Sequence, residues 1–330
     1  MPRVSVLMTV FNGMPYLPAS VESVLNQSFD DFEFIIVNDG STDGTADYLA
    51  SLADPRIHVI YQENGGTAVA ANHGLTCCTG QYTARMDSDD VSLPHRLATQ
   101  VAYLDAHPEV GLVGAQMAPL GQAGVGASLN LPTTHDEVFA AMMDGRHGLA
   151  HACILMRTDL LKQIGGYWKV PLQDAWDMMI RMGEVSKLAN IDEVLHHYRV
   201  HIGSLNGKGM RRMRFSIDYA RHLATLRQQG LPLITHEEYA QQRAAIGWMA
   251  KMRESIDLHS RCQYRVAIAE LYGNRRVRGY LRMAWAAALA PRLTTARIVR
   301  MIEERFVKIP HRNKSKRSAS TGNPPIARSA

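Results

Sequence analysis

Short runs rich in Val, Ile and Phe alternate with helical stretches along the first third of this chain. That alternation restricts the fold more than any other feature. Residues 4–11 and 32–39 read as buried strands. Between them Leu17, Val21, Val24 and Leu25 recur at helical spacing, with Pro15 near the helix start. A second crossover runs from Thr42 through Tyr48 and Leu49 to a strand at 57–61, and a third helix, 67–77, leads to a strand at 82–87. Strand and helix alternating in this way call for a parallel sheet with helices on both faces. Such sheets bind ligands at the carboxyl ends of their strands. Asp39 and Asp87 both stand at those ends.

Beyond this block a helix is expected over 94–106, with Leu97, Val101 and Leu104 on one face, followed by a strand at 110–113. The Gly-rich residues 121–126 read as a loop, and the apolar run 151–156 as another buried strand. A helix over 174–183 and strands at 187–191 and 194–200 complete the α/β part. From about residue 210 the chain turns to long helical stretches rich in Arg. Around 280–306, Leu281, Met283, Trp285 and Leu289 mix with Arg282, Arg292, Arg297 and Arg300. This segment is expected to form a helical subdomain on the sheet, or an amphipathic surface resting on an anionic membrane. The stretch from Pro310, with Lys314, Lys316 and Arg317 among Ser, Asn and Pro, is expected to be disordered.

At 330 residues the chain can bury a full core, and it is long for one compact domain. No apolar run reaches the roughly 20 residues of a membrane span, and the N-terminus reads as a first strand rather than a signal peptide. Cys77, Cys78, Cys153 and Cys262 show no metal-ligand spacing, which points to a reducing cytoplasm. The net charge of +5 conceals an asymmetry. Residues 1–150 hold 5 Lys/Arg against 17 Asp/Glu, whereas residues 151–330 hold 31 against 14. An acidic half suited to a metal is thus joined to a basic half suited to phosphate groups, nucleic acid or an anionic leaflet.

Residues 85–90, Arg-Met-Asp-Ser-Asp-Asp, pack three carboxylates into four positions after a short strand. Their mutual repulsion is relieved by a divalent metal holding a phosphorylated ligand, or the cluster simply caps the helix that follows. Residues 37–44, Val-Asn-Asp-Gly-Ser-Thr-Asp-Gly, imitate the start of a calcium loop. The twelfth position is Ala50, however, and no helix precedes the loop. A Gly-Lys-Ser/Thr phosphate loop and a Gly-x-Gly-x-x-Gly turn are both absent, which removes the main support for ordinary kinases, GTPases and nicotinamide enzymes.

The motifs Thr9-Val10-Phe11-Asn12, Val37-Asn38-Asp39-Gly40-Ser41, Asn64-Gly65-Gly66 and Arg85-Met86-Asp87-Ser88-Asp89-Asp90 stand in the order and spacing of glycosyltransferase family 2. Leu93-Pro94, Arg96-Leu97, Gly165-Gly166-Tyr167, Trp176-Asp177 and Tyr198-Arg199-Val200-His201, ending at Ser204, continue the match, which covers roughly residues 3–206. The chain therefore resembles bacterial surface-polysaccharide enzymes of that family. The resemblance implies a GT-A fold, a mostly parallel sheet with helices on both faces, over 1–206. A helical C-terminal subdomain would follow over 207–309, then a basic tail over 310–330.

Carried over position by position, the resemblance puts Thr9, Phe11, Asn12 and Ser41 in the nucleotide pocket, Asp39 on the base and Asp87 on the ribose. Asp89 would hold Mg²⁺ or Mn²⁺, with His201 reaching the metal or the diphosphate, and Asp90 would cap the next helix. His196 and His197 point to opposite faces of a strand and are not expected to pair as ligands. The implied partners are a nucleotide-diphosphate sugar, a UDP-sugar foremost, and a glycan or lipid-linked acceptor. Peripheral contact with the inner face of the cell membrane is expected, and nucleic acid is not.

Inversion at the anomeric carbon requires a base for the acceptor hydroxyl. The family usually supplies the Asp of a Glu-Asp pair. Here Asp174 takes the Glu position and Ala175 the Asp position, so Asp174 is the expected base and Asp177 a helix support. Ala71 stands where many relatives carry Arg. The alternative is a catalytically weak GT-A module that binds nucleotide sugar or scaffolds a partner. A nucleotidyltransferase is disfavoured because the loop after the first strand lacks a basic residue.

Overall fold

The structure is a computed structural model, and it describes residues 1–122, 124–168, 175–200, 209–273 and 275–291. Four parallel strands form one side of its sheet: β1 (Val4–Val10), β2 (Phe32–Asp39), β3 (Ile57–Gln62) and β4 (Tyr82–Asp87). Helices α1 (Leu17–Leu25), α2 (Thr45–Ala50) and α3 (Thr67–Cys77) connect them. The order is β3-β2-β1-β4, continuing through β8 (Leu155–Arg157), β6 (Val110–Gly121), β9 (Lys187–Arg199) and β5 (Val91–Ser92). β8 runs antiparallel to both β4 and β6, while β6 and β9 are parallel. β7 (Gly124–Val125) folds back on the end of β6, so the Gly-rich stretch expected as a loop forms a hairpin tip.

The two-residue period of a strand sorts the core into two layers. Val6, Met8 and Val10 of β1, with Phe34 and Ile36 of β2, pack under α1, α2 and α4 (Arg96–Ala106). Leu7, Ile35 and Val37 point the other way, into a cluster with α3, α5 (His135–Met143), α6 (Thr158–Gln163) and α7 (Trp176–Val185). Each such side chain contributes about 1.5–3 kcal/mol on burial. Small residues let α3 approach closely. A Cβ on Gly74 would meet Leu7 Cδ1 at 2.3 Å, and Ala70 and Ala71 are fully buried. In this chain position 71 is therefore core.

After α7 and β9 come α8 (Met210–Gln228), α9 (His236–Ala244), α10 (Trp248–Tyr272) and α11 (Arg276–Leu289). Ile217, Ala220 and Ala224 of α8 enter the same cluster as Trp176 and Ile180 of α7. α10 and α11 pack together as a helical hairpin, with the Ser260 hydroxyl donating to the Ala286 carbonyl at 2.8 Å.

Three further expected elements differ, the first being the strand at 110–113, which runs on to Gly121 as β6. Residues 151–156 divide into a 3-10 turn, His151–Cys153, and the three-residue β8. The two strands expected at 187–191 and 194–200 are one strand, β9. It carries register shifts opposite Ala115, Gln116 and Met117 that leave Asp192 and Glu193 out of the ladder. The tail from 310 lies outside the described residues.

Candidate active site

The strand order reverses direction of travel between β1 and β4, which makes their carboxyl ends the switch point where such sheets open a crevice. Thr9 lies opposite Val37 on one side and Asp87 on the other, so the ends of β2, β1 and β4 form one rim. Phe11 emerges beyond it with 52% of its surface exposed.

The first two loops on this rim are tied to each other. Asn12, in the left-handed region at φ 53°, accepts the Thr42 amide at 2.8 Å and donates its own amide to the Ser41 hydroxyl at 2.9 Å. Gly13 donates to the Thr45 hydroxyl at 2.9 Å, and Met14 to the Asp43 carboxylate at 3.2 Å. The Ser41 amide donates in turn to Asn38 Oδ1 at 3.0 Å. Asn12 and Ser41 thus brace the rim with the atoms described.

Asp39 is buried and surrounded by donors. Gln62 Nε2 and the Gly65 amide donate to Oδ1 at 2.7 and 2.8 Å, and the Gly66 amide donates to Oδ2 at 2.9 Å. Gly66 is the N-cap of α3, so the carboxylate sits where the helix dipole favours an anion and orphan amides need acceptors. Gly40 makes the turn possible. It adopts φ +73°, and a Cβ there would meet the Asn64 amide nitrogen at 2.8 Å.

The β4 end is built differently. Arg85 is buried within the strand, where its guanidinium donates to the Leu7 and Met86 carbonyls at 2.8 Å each and to Thr9 Oγ1 at 2.7 Å. It also lies 3.4 Å from Asp87 Oδ1. The Asp87 side chain keeps 41% of its surface open. Desolvation raises its pKa, Arg85 opposes the rise, and neighbouring Asp89 adds to it.

Asp90 does not cap the following helix. That helix starts from His95 without a side-chain cap. Asp90 turns inward, accepting the Arg199 amide at 2.8 Å and facing His196 Nε2 at 2.9 Å. Burial, with Asp89 and Asp87 close by, lifts its pKa well above the usual carboxylate range, while burial and Arg96 push His196 well below the imidazole range. Arg96 Nη1 faces His196 Nδ1 at 3.5 Å, so the ring is neutral with its proton on Nε2, donated to Asp90. Arg199 closes the loop from outside by donating its Nε to the Asp89 carbonyl at 2.8 Å. His196 is fully buried and His197 is not, as their opposite directions require.

A further wall comes from α3 and the Gly165-Gly166-Tyr167 turn. Asn72 brackets Tyr167, donating to its carbonyl at 2.6 Å and accepting its amide at 2.8 Å. The Tyr167 hydroxyl meets His151 Nε2 at 3.1 Å. Burial pushes the Tyr167 hydroxyl up to about 12, and burial with Arg85 keeps His151 neutral. Asp177 is a support: it accepts Arg181 Nε at 2.6 Å and pairs with Arg227 at 3.5 Å. Ala175 is the N-cap of α7 and brings no capping side chain. Asp174 and His201 lie outside the described residues.

Sequence reasoning quoted Arg85 and Arg199 without giving them a role, and it did not single out Asn72. A cation inside an apolar strand was the available signal for Arg85, since a buried charge must be paired or hydrogen-bonded. Among the described residues no group of three or more His, Cys, Asp or Glu side chains converges as a metal cage. The acidic rim nonetheless fits a hard cation of the kind held by one or two carboxylates plus substrate phosphates. The raised Asp87 pKa is the cost that such a cation would remove.

Residues 5–165 match the model of a family described as Glycosyl transferase family 2. The chain is 37% identical over 174 residues to the EpsE protein of Bacillus subtilis, covering 51% of this chain and 61% of that one. It is 29% identical over 236 residues to the amylovoran biosynthesis glycosyltransferase AmsE of Erwinia amylovora, covering 68% and 87%. The chain thus spans less than two thirds of the first curated relatives it matches. Among solved structures, S. aureus TarS in complex with UDP-GlcNAc superposes with a TM-score of 0.58 at 17% identity, over 87% of this chain and 88% of that one. The mannosyltransferase PcManGT of Pyrobaculum calidifontis, in complex with GDP-Man and Mn²⁺, gives 0.55 at 18% identity, over 93% and 81%. At these identities the likeness concerns the fold, which is GT-A.

Proposed function

Because this chain belongs to glycosyl transferase family 2, we propose that it transfers a sugar, with inversion, from a nucleotide-diphosphate donor to a hydroxyl of a glycan or lipid-linked acceptor in polysaccharide assembly. The observation that carries the reading is the rim at the β1/β4 switch point. There Thr9, Arg85, Asp87 and Asp89 gather beside a helix N-terminus that holds Asp39.

In this reading the base and ribose of the donor lie along Phe11, Asp39 and Asp87, over the floor braced by Asn12 and Ser41. A UDP-sugar is the first donor to test, because TarS was solved with UDP-GlcNAc. Asp89, with His201, would hold Mg²⁺ or Mn²⁺, which when bound would neutralise charge on the departing diphosphate. PcManGT with Mn²⁺ supports that choice. Asp174 takes the acceptor proton as the hydroxyl oxygen bonds to C1 and the bond from C1 to the diphosphate breaks. Work at the cytoplasmic face of a membrane, by peripheral contact, suits a lipid-linked acceptor. No helix among the described residues is long and apolar enough to cross one.

Thermal-shift screening of nucleotide sugars with Mn²⁺, followed by transfer assays on wild type and Asp174→Asn, tests the reading. Donor binding should survive the substitution and transfer should fall by about 100-fold or more, the scale of a lost general base. Transfer unchanged in Asp174→Asn would remove that residue as base. A second reading, a weak module that binds donor without turning it over, is favoured by Ala175 at the position where the family usually carries Asp. Donor binding with no turnover toward any acceptor or water would select it.

A further inference from the structure

Helix α11 is apolar on two opposite sides. Its inner side, Gly279, Met283 and Ala286, packs against α10, where a Cβ on Gly279 would meet Leu271 Cγ at 2.6 Å. Its outer side carries Val277, Tyr280, Leu281 and Trp285, between 49% and 74% exposed. At helical spacing these four cover an arc of about 140° facing away from α10. Arg276 and Arg278 flank the arc on either edge, both exposed, and neither pairs with a carboxylate among the described residues. The helix has no acidic residue.

We propose that this outer face of α11 is a docking surface for an anionic lipid bilayer. The helix would lie in the interface plane, with Val277, Tyr280, Leu281 and Trp285 in the acyl boundary and the two arginines on lipid phosphates. A wide apolar arc with cations at both margins is the pattern of a helix lying on a membrane, where the arginine stems run along apolar surface and their heads reach the phosphates. The charge pattern opposes the other ready occupant, a second copy of this chain. A two-fold pairing places the same patch on both partners, so two faces that each carry Arg276 and Arg278 would meet with no acidic residue on either helix to offset the charge. One helix of about 21 Å also offers less area than a stable dimer needs. The proposal names the surface for the peripheral contact suggested above and rests on that reading for its purpose. Lipid binding itself does not depend on it.

Cosedimentation of the full chain with vesicles of phosphatidylcholine, with and without phosphatidylglycerol, tests it. The wild type should pellet with the anionic vesicles and stay in solution with the neutral ones. Leu281→Ala with Trp285→Ala should abolish pelleting, and Arg276→Gln with Arg278→Gln should weaken it by about tenfold or more, given the worth of each basic residue near such a surface. Light scattering should give the same mass for wild type and variants, and thermal shift with a nucleotide sugar should be the same in all of them. Equal pelleting of wild type and variants, equal affinity for neutral vesicles, or a halving of mass in the apolar variant would each overturn the proposal. Loss of pelleting with the donor response intact supports the surface whatever the chain transfers. A donor response absent from every form would count against the transferase reading alone.

Discussion

Two carboxylate positions on one rim, separated by a single strand, are built on opposite principles. At the end of β2 the protein supplies Asp39 with three donors and a helix N-terminus. At the end of β4 it surrounds Asp87 with desolvation and a second carboxylate, opposed by Arg85. The first carboxylate stabilises the fold as it stands. The second is charged at a cost, which the cation proposed for this rim would offset. The two carboxylates thus differ in where their compensating charge comes from: the fold supplies it to Asp39, whereas for Asp87 Arg85 offsets desolvation only in part.

The sharpest way to break this comparison is Asp89→Ala. Donor affinity measured by calorimetry with Mn²⁺ should fall by about 100-fold or more, the scale of several kcal/mol that a bound cation supplies, while thermal stability changes little. Unchanged affinity would end the metal assignment. Next in size, Asp90→Ala should lower the unfolding free energy in urea by about 3 kcal/mol, since it strands His196 and the Arg199 amide in a dry interior.

Asp39→Ala should cost about 1–2 kcal/mol in the same measurement, the range for a lost N-cap acceptor. Asp87→Ala should cost less, and the reverse order would erase the distinction between the two ends. The smallest effect concerns pH. The folded-state pKa of Asp87 lies above the ordinary 3.8, so between those two values the native chain binds more protons than the unfolded one and stability falls as pH rises. Asp87→Asn should flatten that part of the stability profile, and Mn²⁺ should bind less tightly as pH drops through the same window.

Much of this rim was readable from residue types alone, because β1 to β4 are apolar runs whose ends are marked by Asp39 and Asp87. What escaped reading depends on partners distant in the chain. Asp90 looks like a helix cap when only its neighbours are considered; its partner His196 lies 106 residues on, and a buried polar pair outweighs a cap. Asp192 and Glu193 interrupt the apolar pattern of β9 and suggest two strands, although a bulge absorbs both without ending the ladder. The run at 151–156 shows the limit of hydrophobic pattern, since a buried 3-10 turn and a buried strand bury the same kinds of side chain. Asp39 was legible as a strand-end acid, yet its service to α3 was not, because Gly65 and Gly66 contribute backbone amides that leave no side-chain signature.

The stitching of Asn12 to Ser41 and Thr42, and of Met14 to Asp43, means that the two loops under the proposed nucleotide pocket are not independent parts. An insertion in either would cost the other its hydrogen-bond partners, so a new nucleotide preference could not be grafted one loop at a time. Redesign of the donor site would have to move the pair as a cassette, carrying both loops from the same parent.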